Sequence, residues 1–140
     1  MIAILSKSIL FRNIPESDIS GLLETTAYRV TAYRPKDIIA LQGTPCNYLM
    51  IVLNGLLQGQ MVNDAGKLVV IEELEAAQLL APAFLYAPKN NLPVNIIAME
   101  PSEILFIHRD DFTVWMQQNR QLLQNFLMLI SGRSHFLSDK

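Results

Sequence analysis

Several kinds of residue cluster are missing from this 140-residue sequence, and each absence excludes a class of function. With Cys46 as its one cysteine the chain cannot close an internal disulfide, so a reducing cytoplasm is the expected compartment. A single cysteine also excludes iron–sulfur ligation by a cysteine cluster. The two histidines, His108 and His135, are too far apart in sequence to form a histidine-rich metal site. We therefore expect no metal and no cofactor.

The sequence also lacks a cluster of positive charge. Its 11 Lys and Arg residues are scattered among 13 Asp and Glu residues, which leaves a net charge of −2. Proteins that grip nucleic acid do so through clustered basic residues, so this chain is not expected to bind DNA by itself. No basic stretch precedes a long apolar run at the N-terminus, and we expect neither a signal peptide nor a membrane partner. No Ser–His–Asp set or carboxylate pair suggests an enzyme.

Apolar residues are abundant, at 51% of the chain against 17% charged, which predicts one domain with a sizeable core. Many short runs of strand character follow one another at intervals of roughly 8–12 residues, a spacing typical of a β-sandwich or barrel. Asn63, Asp64 and Gly66 tolerate the positive φ of a tight turn, so a hairpin is predicted there. The predicted strands cover residues 28–33, 38–41, 48–55, 56–62, 68–74, 94–98 and 104–107.

Helical spacing appears at both ends of the chain. Pro15 suits the first turn of a helix that we predict over residues 15–26. A second short helix is predicted over residues 109–118, and Asn119 breaks it or caps the next. The long helix that begins at Arg120 is too apolar to be covered on one side alone, so we expect the barrel to cover part of it and a second copy the rest. The residues near one face of this helix are Leu122, Phe126, Leu129, Ile130, Arg133 and Leu137.

One segment, residues 74–88, fits neither a regular helix nor a strand. Its sequence, LEAAQLLAPAFLYAP, has no charge after Glu75, mixes small with large residues and contains two prolines. It is too short to span a bilayer, which takes roughly 20 apolar residues. We call it the apolar segment, and it is the part of the sequence whose purpose most needs an explanation.

The order of elements, together with four stretches of sequence, resembles the cyclic-nucleotide-binding-like domain of the Crp–Fnr family of bacterial transcription regulators. The resemblance covers nearly the whole chain. It implies a mainly β fold with flanking helices, namely a double-stranded β-helix or jelly roll followed by a long dimerisation helix. The matching stretches are YRVTAYRPKDIIALQGTPCNYLMIVLNG, NDAGKLVVIEEL, AMEPSEILFIHRDDF and NRQLLQNFLMLISGR.

The resemblance also implies a division of the chain and a set of partners. Residues 1–118 would form the N-terminal helices and β-roll, and residues 119–140 the start of the dimerisation helix. The expected partners are a second copy of the chain, in a homodimer, and DNA through a helix-turn-helix domain that follows this helix. We expect that domain to lie outside this chain.

Nucleotide-binding members of the family hold the cyclic phosphate in a cassette that the apolar segment replaces. The resemblance implies a Gly-Glu pair, whose Glu binds the ribose hydroxyl, and an Arg that pairs with the phosphate beside a Ser or Thr. The Gly-Glu pair falls on Ala81 and Pro82, and the Arg and its hydroxyl neighbour fall on Leu92 and Pro93. None of these residues carries the required group, and Lys89 is the only cation nearby in sequence.

Two interpretations of the apolar segment remain open at this point. Its large side chains either fold back and fill the pocket, which leaves a ligandless dimerisation scaffold, or line a cavity for a neutral or apolar effector. The candidate residues are Leu79, Leu80, Ala81, Pro82, Phe84, Leu85, Leu92 and Pro93.

Two isolated residues have functional and structural interpretations side by side. Cys46 would be a redox sensor only with a lowered thiol pKa, and since no Arg, Lys or His is near it in sequence, a packed cysteine is favoured. His108 lies between a predicted strand and a predicted helix, where a capping role is favoured over metal ligation.

Overall fold

The computed structural model describes residues 1–138, with side chains described as far as Gly132. In this part of the chain, α-helices and short 3-10 helices flank a set of antiparallel strands. The helices are α1 (Ile2–Leu5), α2 (Glu16–Glu24), α3 (Arg109–Gln118) and α4 (Arg120–Ser138), with 3-10 helices at Ile9–Phe11 and Pro82–Phe84. The strands are β1 (Tyr28–Tyr33), β2 (Ile38–Ala40), β3 (Tyr48–Asn54), β4 (Leu57–Val62), β5 (Leu68–Leu74), β6 (Asn95–Ala98) and β7 (Ser102–His108).

The strands form two sheets, in the orders β1-β7-β3 and β2-β6-β4-β5. Every pairing is antiparallel, and consecutive strands such as β2 and β3 lie in different sheets, so the chain crosses between the sheets as in a jelly roll. The predicted fold class is therefore confirmed. Aliphatic side chains from both sheets fill the interior, where Leu49, Ile51, Leu57, Ile96, Leu105 and Ile107 are each at most 2% exposed.

The hairpin between β4 and β5 forms where the sequence predicts it. Val62 pairs with Leu68, and the Asn63 side-chain oxygen accepts hydrogen bonds from the backbone N–H groups of Ala65 (3.0 Å) and Lys67 (2.9 Å). The turn thus satisfies its own backbone donors through one asparagine, while Gly66 supplies the positive φ of 79°.

Gly55 marks a second turn, between β3 and β4, where the chain lies close to the start of β7. Its φ is 100°, and a Cβ at this position would overlap the Ser102 side chain and lie 2.6 Å from the Ser102 Cα. The Ser102 hydroxyl accepts from the Leu56 N–H and donates to the Glu100 carbonyl, so it has little freedom to move. Both the backbone conformation and the space therefore require glycine.

The C-terminal helices pack on the N-terminal segment as well as on the roll. Trp115 of α3 is buried, its indole N–H donates to the Thr26 hydroxyl at 2.5 Å, and its ring contacts Phe11 and Phe112. The Asn119 side-chain oxygen accepts from the Leu122 N–H at 3.0 Å and caps α4, as the sequence predicts.

The apolar surface of α4 divides between the chain's own core and solvent. Leu122 and Phe126 are at most 2% exposed, so the chain's own core covers this part of the helix. Leu129 and Ile130 pack partly against the same core. The exposed apolar residues are Leu123, Leu127 and Met128, while the side chains of Arg133 and Leu137 lie outside the described residues.

The contact at Gly55 yields a matched pair of substitutions. We expect Gly55→Ala to lower the free energy of unfolding by about 3–5 kcal/mol, because it combines left-handed strain with overlap against Ser102. Gly66→Ala shares the positive φ but meets no atom within 4 Å, and should cost only about 1–2 kcal/mol. Urea denaturation measures both, and equal losses would show that the overlap with Ser102 is unimportant.

Candidate functional site

The apolar segment runs along β3 before it turns away. Backbone hydrogen bonds join Ala77 N–H to the Val52 carbonyl at 2.7 Å, Val52 N–H to the Gln78 carbonyl at 3.0 Å and Leu80 N–H to the Met50 carbonyl at 3.0 Å. The segment then passes through Ala81, whose φ is 42°, into the 3-10 helix that begins at Pro82. This mixture of bridge, left-handed residue and short helix explains why neither regular pattern fitted its sequence.

The residues predicted to fill or line the pocket separate into three groups. Leu80, Leu85 and Leu92 are at most 3% exposed and belong to the core. Pro93 is exposed and lies away from the groove. The other four, Leu79, Ala81, Pro82 and Phe84, border an open groove.

That groove has a volume of about 810 Å³ and lies between four parts of the chain. One side comes from the N-terminal stretch at Lys7, Ser8 and Ile9, and another from Ile71 and Glu72 of β5. The apolar segment and α4 complete it. The lining from these two is Ala76, Ala77, Gln78, Leu79, Ala81, Pro82, Ala83, Phe84, Met128, Leu129 and Gly132.

The positions at which the resemblance places the phosphate-binding residues offer no charge. Leu92 is buried, and its backbone N–H and carbonyl are already bonded to Thr44 and Gly43 at 2.9 and 2.8 Å. Lys89 is exposed and does not line the groove. Among the described lining residues, Lys7 alone carries a positive side chain. The site is thus apolar, with a single cation contributed from outside the apolar segment.

Sequence reasoning missed the contacts that tie the end of the apolar segment to the helices. The Tyr86 hydroxyl lies 2.7 Å from the Thr113 hydroxyl and donates to the Arg109 carbonyl at 3.3 Å, and partial burial raises the pKa of Tyr86. The Arg109 guanidinium donates to the Leu85 carbonyl at 3.3 Å, and the Tyr86 ring packs edge-on against Phe126. These partners are 23–40 residues apart, so no local pattern could reveal them.

Asn125 of α4 is a second residue that the sequence did not single out. It is 7% exposed, and its amide donates to the carbonyls of Leu10 and Arg12, both at 2.8 Å. Its side-chain oxygen accepts from Gln121 at 2.9 Å. Because Ile9 directly precedes Leu10 and Lys7 lies three residues before it, the asparagine ties the N-terminal side of the groove to α4.

The two isolated residues take structural positions. Cys46 is 2% exposed, and burial raises the pKa of its thiol, which disfavours the reactive thiolate and agrees with a packed cysteine. The His108 Nδ1 accepts from the Asp110 N–H at 3.1 Å, so it caps α3 as predicted. Within the described residues, no group of three His, Cys, Asp or Glu side chains is placed to hold a metal.

The family of the chain follows from its comparison with known protein families. The family model described as the cyclic nucleotide-binding domain matches residues 30–119, from β1 through α3, which is more than half of the chain. The chain belongs to the cyclic nucleotide-binding domain family. This confirms the predicted kind of domain, and the solved structures similar to this cyclic nucleotide-binding domain include transcriptional regulators.

One such structure is a transcriptional regulator from Thermotoga maritima, with 30% identity and a TM-score of 0.78 over 86% of this chain and 92% of its own. The sensor domain of the regulator DNR from Pseudomonas aeruginosa has 18% identity and a TM-score of 0.81, over 99% and 91%. The catabolite activator protein of Thermus thermophilus has 18% identity and a TM-score of 0.80, and the domain matches 60% of its length. No curated protein sequence matches the chain. Among its described residues, no helix is long and apolar enough to cross a membrane.

The role of Asn125 in this domain is open to an isosteric test. We expect Asn125→Asp to lower the free energy of unfolding by about 3 kcal/mol at neutral pH, because two carbonyls lose their donor and a carboxylate is buried. Burial raises the folded-state pKa of such a carboxyl, so the variant should lose stability as the pH rises from about 4 to 8.

The neighbouring Gln124→Glu substitution introduces the same charge at an exposed position and serves as the control. It should change stability by less than about 0.5 kcal/mol. Urea denaturation across this pH range measures the free energy of unfolding of both variants. A similar loss of stability in the two would show that the hydrogen bonds of Asn125 do not have the structural role assigned to them.

Proposed function

We propose that this chain is the effector-sensing and dimerisation domain of a cytoplasmic Crp/Fnr-type transcription regulator, and that it does not bind cyclic nucleotide through the family's cassette. It acts as a regulatory module and not as an enzyme, and DNA is contacted by a separate helix-turn-helix domain. The observation that carries the proposal is the uncharged set Ala81, Pro82, Leu92 and Pro93 at the cassette positions, of which Leu92 is a core residue.

Binding of a cyclic phosphate requires compensating bonds that the cassette positions do not provide. A phosphate removed from water must recover strong bonds from cations or N–H donors, and without them its burial costs several kcal/mol. Pro82 has no backbone N–H to offer, and no side chain at the four cassette positions carries a charge. The apolar segment is therefore suited to an apolar effector.

A link from the effector site to the helices supports a sensing role. Tyr86 and Leu85, at the end of the apolar segment, are bonded to Arg109 and Thr113 of α3, and Tyr86 also packs on Phe126 of α4. A shift of the segment on ligand binding would therefore move contacts on both helices.

The second half of the proposal places a partner copy on α4. Leu123 and Leu127 are 37% and 49% exposed and lie one helical turn apart, so they present an apolar strip that the chain leaves uncovered. Parallel packing of this strip on its equivalent in a second copy would give the homodimer that the Crp–Fnr resemblance implies.

A ligandless dimerisation scaffold is the alternative, and the core positions of Leu80, Leu85 and Leu92 favour it. Buried side chains at these positions are what a filled pocket would require. The open groove beside Leu79 and Phe84 is the observation that favours an effector instead.

Thermal denaturation with cyclic nucleotides tests the first half of the proposal. We expect cyclic AMP and cyclic GMP, each at about 1 mM, to leave the Tm unchanged. A ligand present at 100 times its Kd would stabilise the fold by about 2.7 kcal/mol and raise the Tm by several degrees. A saturable rise in Tm with either nucleotide would contradict the proposal that the cassette does not bind cyclic nucleotide.

Sedimentation equilibrium tests the second half. We expect Leu127→Glu to weaken dimerisation by about a hundredfold, because the charge would have to be desolvated in an apolar contact. Circular dichroism should show an intact fold, since the residue is exposed in the single chain. Gln117→Glu, at an exposed position of α3, is the control and should dimerise like the original chain. An unchanged dimer in Leu127→Glu would exclude this strip as the interface.

A further inference from the structure

The groove beside the apolar segment has uncovered apolar side chains on three separate elements. Ile9 of the N-terminal 3-10 helix is 52% exposed, Ile71 of β5 is 50% exposed and Met128 of α4 is 68% exposed. Each borders the same space of about 810 Å³, which is within the range of about 300–1,000 Å³ typical of small-molecule sites. Apolar surface gathered in one concavity from distant parts of a chain indicates an apolar occupant.

The polar groups of the groove narrow the chemistry of that occupant. Within the described part of the chain, the Lys7 ammonium has no ion-pair or hydrogen-bond partner, although it borders the groove. Glu72 also lines the groove, but it has contacts of its own and lies against the backbone at Gly59. Of the two charged lining residues, Lys7 is therefore the one without a partner among the described residues, and an acidic group on a ligand would pair with it.

We propose that this groove binds an elongated apolar molecule with one acidic group, the chemistry of a fatty acid. The hydrocarbon part covers Ile9, Ile71 and Met128, and the acidic group pairs with Lys7. The proposal rests on the function proposed above and supplies the ligand class for its apolar effector. It needs no residue at the cassette positions that would bind phosphate.

Calorimetric titration of the 140-residue chain with dodecanoate and with 1-dodecanol tests the proposal, because the two probes share a chain length and differ in charge. We expect dodecanoate to bind about tenfold more tightly, since a charge-assisted hydrogen bond contributes roughly that factor. Lys7→Ala should remove this preference and leave the affinity for dodecanol unchanged. The Lys7 side chain is exposed and unpaired among described residues, so the variant should fold normally.

A second pair of variants tests the location. Ile71→Thr removes apolar surface from the groove and should weaken both probes by about tenfold. Val70→Thr is the matched control, because Val70 is equally exposed at 50% on the same strand but does not border the groove. It should bind both probes like the original chain.

Each contrary result overturns the inference. If neither probe binds, the groove does not take this class of ligand. Equal affinity for dodecanoate and dodecanol would show that the acidic group is not recognised. If Ile71→Thr leaves both affinities unchanged, the ligand binds outside the groove. If neither probe binds and Ile71→Thr weakens self-association while Val70→Thr does not, a second copy occupies the groove. If neither probe binds, the proposal that the chain does not bind cyclic nucleotide through the cassette is unaffected. Binding of a cyclic nucleotide would overturn that proposal whether or not dodecanoate binds.

Discussion

The attachment of α4 to the rest of the chain is the constraint on which the other features depend. Leu122 and Phe126 bury one face of the helix, and Asn125 between them bonds to the carbonyls of Leu10 and Arg12. This part of the helix therefore holds the N-terminal segment and receives the Tyr86 ring, and the residues that follow it, Met128 and Leu129, border the groove. The groove exists because a buried amide and a buried ring fix three elements relative to one another.

The apolar segment serves the core and the groove at once. Leu79, Leu80 and Leu85 are buried in the core, and Leu79 and the partly buried Phe84 border the open space. The buried leucines agree with the scaffold interpretation and the groove agrees with the effector interpretation, so both stay predictions. A segment that is half anchored in a core and half exposed to a cavity can respond to a ligand without unfolding, because its buried residues limit how far it moves.

The sequence predicted the fold well where the information was local. Alternating strand residues, the Asn63 turn and the Asn119 cap each depend on neighbours within a few residues, and the structure confirms them. Periodicity could not divide the apolar surface of α4, because Leu122 and Leu123 are equally apolar and only tertiary packing buries the first and exposes the second.

The candidate site was predicted less completely, for the same physical reason. The apolar character of Leu79 and Phe84 is visible in the sequence. The pairing of Asn125 with Leu10 spans 115 residues, and the contact of Arg109 with Leu85 spans 24. Such contacts depend on how the roll closes, which no short stretch of sequence contains.

Two alanines on either side of Leu79 and Leu80 have positive φ, 75° at Ala77 and 42° at Ala81. An L-residue in this region costs about 1–2 kcal/mol, and neither position is relieved by glycine. The two leucines are buried and therefore hold both alanines in this conformation. The segment therefore carries torsional strain at both ends, and the burial of the two leucines between them offsets that cost.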